Sequence, residues 1–280
     1  MTTTRASLAA AALSLALSAS ALGQAPTPAP APPAPKPASP APPSAEAQAA
    51  GKALLGKVVA WLGGEKKVAG VRDVQTKGQL TAKTPDGEAT MEVQSAMVFP
   101  DRLFQQIDSP YGRIAMVVTP RDAFLFASNG SQDLPPIVRT ELLKQVQRIP
   151  LHLVQKAADP KLVAAAAGTA KVGAVDAALL DIRYGEVAVR WFVEPATGKI
   201  LRTEHTTTTP EGKPALMVSD YSDYKPVDGF PIAHRLEVST NGEKDQTLVM
   251  EECKINAGVD PKLFEKPPPS TTPAPPAPAS

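Results

Sequence analysis

Residues 220–238 read DYSDYKPVDGFPIAHRLEV, with three aspartates, two tyrosines and a histidine inside nineteen positions. Either these groups converge on a metal or a reacting bond, or they ride on a strand, a turn and a second strand. Side chains on a strand point to opposite faces in turn. Asp220 and Asp223, an odd number apart, then project from opposite sides and form no carboxylate pair. By the same rule Tyr221 shares the face of Asp223, and Tyr224 that of Asp220. Pro226-Val227-Asp228-Gly229 makes a turn in which Gly229 suits a positive φ. His234 shares a face with Ile232, Leu236 and Val238, where a lone histidine is more often a hydrogen-bonded structural residue than a functional one. The stretch is a piece of antiparallel sheet, and only His234 keeps a claim to chemistry.

The same period-two pattern recurs on both sides of it. VRDVQTKGQLTA faces EATMEVQSAMVF across KTPDGE, and DRLFQQIDS faces RIAMVVTP across SPYGR; Met91, Val93, Met97 and Phe99 are apolar while Glu92 and Gln94 point the other way. Downstream, AALLDIRYG, EVAVRWFVEP, KILRTEHTTTTP, KPALMVSDYSDY, FPIAHRLEVST and KDQTLVMEECKI alternate with short turns, of which Asn241-Gly242 is the strongest hairpin signal. Linkers this short pair sequence neighbours antiparallel. About ten or eleven strands are expected.

Helical spacing interrupts them twice. SAEAQAAGKALLGKVVAWLGG begins with the cap residue Ser44, places Leu54, Leu55, Val58, Val59, Trp61 and Leu62 on one stripe, and stops at Gly63-Gly64. DLPPIVRTELLKQVQRIPLHLVQKAADP starts at the cap candidate Asp133, carries Ile137, Leu142, Val146 and Leu153, and is divided by Pro150. A third short helix is expected over PKLVAAAAG. The fold class is α+β, mainly β: a large antiparallel sheet covered by an N-terminal helix and a central helical insertion.

The ends bound the domain. Residues 1–23 have a short basic head, an Ala/Leu run and small residues before a cleavage point, which reads as a secretory signal peptide rather than a membrane span. Residues 24–43 form a Pro/Ala-rich linker, with ten prolines between Ala25 and Pro43, and residues 267–280 a Pro-rich tail; neither has apolar bulk to bury. The folded domain is 44–266. No cysteine follows the apolar run, so an exported, periplasmic protein without a lipid anchor is expected.

Composition removes several classes of function. Setting aside Arg5 and Lys36, the domain holds 27 Lys and Arg against 28 Asp and Glu, too even for a nucleic-acid surface. Cys253 is the single cysteine, which excludes an internal disulfide and a Cys-rich zinc site. His152, His205 and His234 fall on a helix and two different strands with no ligand spacing, and no Gly-x-Ser-x-Gly elbow or phosphate-cradling loop is present. No catalytic residue, metal or cofactor is assigned. An outer-membrane barrel is disfavoured by the helical interruption and by aromatic residues at only 5%.

What remains is a sheet with one apolar face and helices placed to lie over it, packed dry or enclosing a cavity. Met91, Met97, Met116, Met217 and Met250 would give such a cavity an adaptable lining. In order and phrasing, the helix ending in WLGG, the strands through VFPDRLFQQ, the helical insertion, and the late DYSDYKPVDGFPIAHRLEV followed by DPKLFEKP make the chain resemble the LolA-like superfamily of exported lipoprotein and lipid carriers. Within it the phrases VFPDR and DLPP are most similar to the variant module behind insulinase-type metallopeptidase domains, whose peptidase domain and zinc motif this chain lacks. The resemblance implies an unclosed β-barrel with a lid and an apolar cavity for the acyl chains of lipids or lipoproteins. The lining candidates are Met91, Val93, Met97, Phe99, Leu142, Val146, Val187, Val189 and Trp191. Lid movement would couple release to an envelope receptor protein. The alternative is a regulatory or scaffold module that binds an envelope protein such as a peptidase or a stress-signalling component.

Overall fold

The computed structural model describes residues 42–266 except 85, 86, 111, 129 and 210–212. The expected signal peptide, all but the last two residues of the linker, and the Pro-rich tail lie outside the described residues.

Helix α1 (Ala45–Trp61) opens where the Ser44 hydroxyl accepts a hydrogen bond from the Ala47 amide at 3.1 Å. It buries Leu54, Leu55, Val58 and Val59 and ends before Gly63-Gly64, as its spacing demands. A short α2 (Glu65–Ala69) follows, and it was not legible as a helix because five residues carry no period.

Strands β1 (Asp73–Thr84), β2 (Gly87–Val98), β3 (Arg102–Ser109), β4 (Gly112–Val118), β5 (Ala123–Ala127) and β6 (Gly130–Asp133) run as a meander. Helices α3 (Pro136–Arg148) and α4 (Pro150–Val154) come next, broken at Pro150 as expected. Asp133 is not the cap of α3. It lies in β6, and Pro135 takes the position before the helix, with Pro136 in the first turn where a missing N–H is tolerated.

The second meander is β7 (Val163–Val172), β8 (Val175–Tyr184), β9 (Val187–Val193), β10 (Ile200–Thr208), β11 (Pro214–Val227), β12 (Phe230–Thr240) and β13 (Glu243–Ile255). The third helix expected over PKLVAAAAG is strand β7 instead. Its alanines have high helix propensity, but pairing with β8 and contact with α1 override that preference. A turn of 3-10 helix, Pro261–Phe264, closes the domain and buries Phe264 against Phe104, Val117 and Phe124. That patch of the sheet's second face is therefore dry, although Glu92 and Gln94 point to that face.

All thirteen described strands form one antiparallel sheet in the order β6-β5-β4-β3-β2-β1-β13-β12-β11-β10-β9-β8-β7. It is curved and not closed into a barrel. The two meanders meet where β1 pairs with β13, so β6 and β7 are the outer edges. The α3–α4 segment links those two edges. A connection from one edge to the other must cross a face of the sheet, which is how the sequence order places this insertion as a cover.

Candidate functional site

Between the sheet and the covering helices lies a cavity of about 280 Å³, near the small end of the roughly 300–1,000 Å³ usual for ligand pockets. Its walls are apolar for the most part: Met97, Phe99, Val146, Ile149, Leu151, Val189, Met217, Ile232, Leu236 and Leu248.

The register shows why a void opens here. One cross-strand row runs Leu180, Trp191, Thr203, Ser219 and Val238. Leu180 and Trp191 are fully buried in the core cluster that also holds Leu55 and Val58 of α1. The next two members, Thr203 and Ser219, are short and line the cavity. A second row sets Ser95, Thr76 and Cys253 side by side on the cavity wall, with Thr76 and Ser95 hydrogen-bonded at 2.7 Å. Small side chains facing a helix layer leave volume that larger ones would fill.

Of the nine residues expected to line a cavity, Met97, Phe99, Val146 and Val189 do so. The other five are buried elsewhere. Met91 and Val93 pack with Leu80 and Ile107 in a cluster that borders the cavity only through Leu248 and Leu236. Leu142 packs with Leu103 and Met116 under α3, and Val187 and Trp191 lie in the core cluster that also holds residues of α1 and α4. Met217 and Met250 line the cavity, whereas Met116 does not.

The stretch 220–238 forms strands β11 and β12 joined at Asp228-Gly229, both at positive φ, 48° and 75°. Asp220 is tied to Arg202 on the neighbouring strand by bonds of 2.7 and 2.9 Å, and Asp223 pairs with Lys225 at 2.8 Å. Neither aspartate lines the cavity. The expected tyrosine faces need correction: Tyr221 and Tyr224, three residues apart, both line it. Asp223 between them has φ 51°, and that left-handed residue breaks strict alternation. Tyr224 donates to the Ile200 carbonyl at 2.7 Å and meets Trp61 edge to face at 5.0 Å; burial raises the pKa of both phenols. His234 is buried on the cavity wall beside Ile232 and Leu236, with Nδ1 2.9 Å from the Ile232 carbonyl.

Two nitrogen-bearing side chains stand out on this wall, and neither was expected to line a cavity. Arg148, in the last turn of α3, is 9% exposed, and burial lowers its pKa from the ordinary value. From sequence it reads as a cation complementing a helix C-terminus. His205 of β10 has its pKa lowered to about 3 by burial and by the charge of Arg148, so it is neutral at physiological pH. The thiol of Cys253 is pushed up to about 11, chiefly by burial. Among the described residues no group of three or more His, Cys, Asp or Glu could hold a metal ion, and no helix is long and apolar enough to cross a membrane.

No protein-family profile matches the sequence, and no curated protein does. Solved structures do match. A DUF1329 family protein from Desulfovibrio piger aligns with 12% identity over 78% of this chain and 97% of its own, at a TM-score of 0.53. A LolA superfamily protein from Nitrosomonas europaea aligns with 14% identity over 77% of this chain and 97% of its own, at a TM-score of 0.51. The chain has a LolA-like fold. In this LolA-like frame the curved sheet and its cover bound the cavity, with short side chains on the sheet and Arg148 at the end of α3.

Proposed function

We propose that this protein is an exported, non-enzymatic periplasmic carrier that holds acyl chains of lipids or lipoproteins in the cavity, in envelope lipid or lipoprotein trafficking. The observation that carries the reading is a largely apolar cavity of about 280 Å³ under a helical cover. Each methylene moved from water into it contributes about 0.8 kcal/mol. The LolA superfamily name of a structural neighbour supports the same class of role. The narrower likeness, to the module behind insulinase-type peptidases, rests on short sequence phrases alone.

The test is binding of N-phenyl-1-naphthylamine, an uncharged apolar fluorophore, to delipidated protein. One molecule per chain is expected. Ser219→Leu, which adds volume to the cavity floor, and Ile232→Trp, which adds it from the wall, should each abolish binding while the protein stays folded. A folded wild-type protein that binds no fluorophore, and that leaves its own envelope empty but with a stoichiometric protein partner, sinks the carrier in favour of a scaffold module.

A further inference from the structure

Arg148 is a costly residue for an apolar cavity. Its Nε and Nη1 have no hydrogen-bond partner and are shielded from solvent. Nη2 lies 3.9 Å from Glu141 Oε2, too far for a hydrogen bond, and Glu141 also binds Lys144 at 3.3 Å and accepts from Thr207 at 3.4 Å. Glu141, Lys144 and Arg148 together leave one positive charge in excess. The further partner of Lys144, Glu186 at 3.2 Å, is 81% exposed and well screened. His205 adds a third buried nitrogen without a partner, Nε2, on the same cavity. An apolar side chain of equal length at position 148 would pack without these unmade bonds. The Arg148 donors, joined by His205 in its Nε2–H tautomer, instead fit an oxygen anion arriving with the ligand, because a charge-assisted hydrogen bond is strongest where water is excluded.

We propose that the cavity takes a single-chain amphiphile with a carboxylate head, a long-chain fatty acid, with Arg148 and His205 at the head and Met97, Met217 and Ile232 along the chain. The proposal rests on the acyl-chain reading above and adds the head group. The small volume favours one chain over several.

Isothermal titration of delipidated full-length protein with palmitate, hexadecanol and acetate tests it. Palmitate is expected to bind roughly tenfold or more tightly than hexadecanol, the gain typical of a charge-assisted bond, and acetate not measurably. In Arg148→Met the preference should vanish while hexadecanol binding is kept, which also shows that the variant folds. Equal affinity of the wild-type protein for palmitate and hexadecanol overturns the head-group site and leaves the carrier standing. Binding of neither chain overturns the carrier itself. Acetate held as tightly as palmitate would mean a site for free small anions, and a preference that survives Arg148→Met would remove Arg148 from it. The wild-type comparison decides even where the variant does not fold.

Discussion

The same face of one sheet is covered in two ways. At one end it is packed dry: Leu55 and Val58 of α1 share a core cluster with Leu180, Ile182 and Trp191, all 3% exposed or less. Under the end of α3 and the start of α4 it carries threonine, serine and tyrosine, and volume remains. Gly51 marks the difference. A Cβ there would lie 2.5 Å from the Ala165 Cα of β7, so α1 rests backbone to backbone on the sheet's edge region. Close contact of a helix with small residues excludes a void, whereas the longer side chains of Arg148, Gln145 and Phe99 border one. One architecture thus serves stability at one end and a cavity at the other.

Truncation of the dry region should hurt most. Trp191→Ala is expected to cost about 3–5 kcal/mol in urea unfolding, while Met217→Ala, beside an existing void, should stay near 2. Equal losses would erase the contrast between the two regions. Next in size, Gly51→Ala should cost about 1–3 kcal/mol, because the added methyl meets main chain that cannot rotate away. A neutral result would mean that α1 can lift from β7 without penalty.

The cavity's buried imidazole makes a pH test. His205 has a folded pKa near 3 against 6.5 for the free side chain, so the unfolded chain binds the extra proton between these values. Its contribution to stability is present above about pH 6.5 and is lost as pH falls toward 3. Midpoints of urea unfolding across that window should fall less steeply in His205→Asn than in wild type; identical slopes would place the imidazole in water. The smallest expected effect is on Cys253. With its thiol pushed up to about 11, labelling by iodoacetamide at pH 8 should be slow compared with a free thiol and slower still with palmitate bound. Rapid labelling that ignores palmitate would show a thiol open to solvent and away from the bound chain.

The sheet was more legible than the site. Period-two alternation and Gly/Pro turns mark the strands from β1 to β4 and from β8 to β13, because both are local consequences of backbone geometry. The short β6 and the Ala-rich β7 were not, since four residues hold little pattern and alanine prefers a helix. The nine lining candidates are all apolar residues. Five of them fill core, and the cavity lies where side chains are small, so hydrophobicity pointed to packing rather than to space.

The stretch at 220–238 divides the two kinds of information. Its own residues dictated a strand, a turn at Asp228-Gly229 and a second strand, because alternation and positive φ are properties of neighbouring positions. That Tyr221 and Tyr224 share the cavity depends on the left-handed Asp223 between them. That the charge of Arg148 reaches His205 there depends on a helix carried from one sheet edge to the other. Faces of a strand are set by the chain next door in sequence, whereas a cavity is volume left between elements far apart in it, and only their packing fixes how much remains.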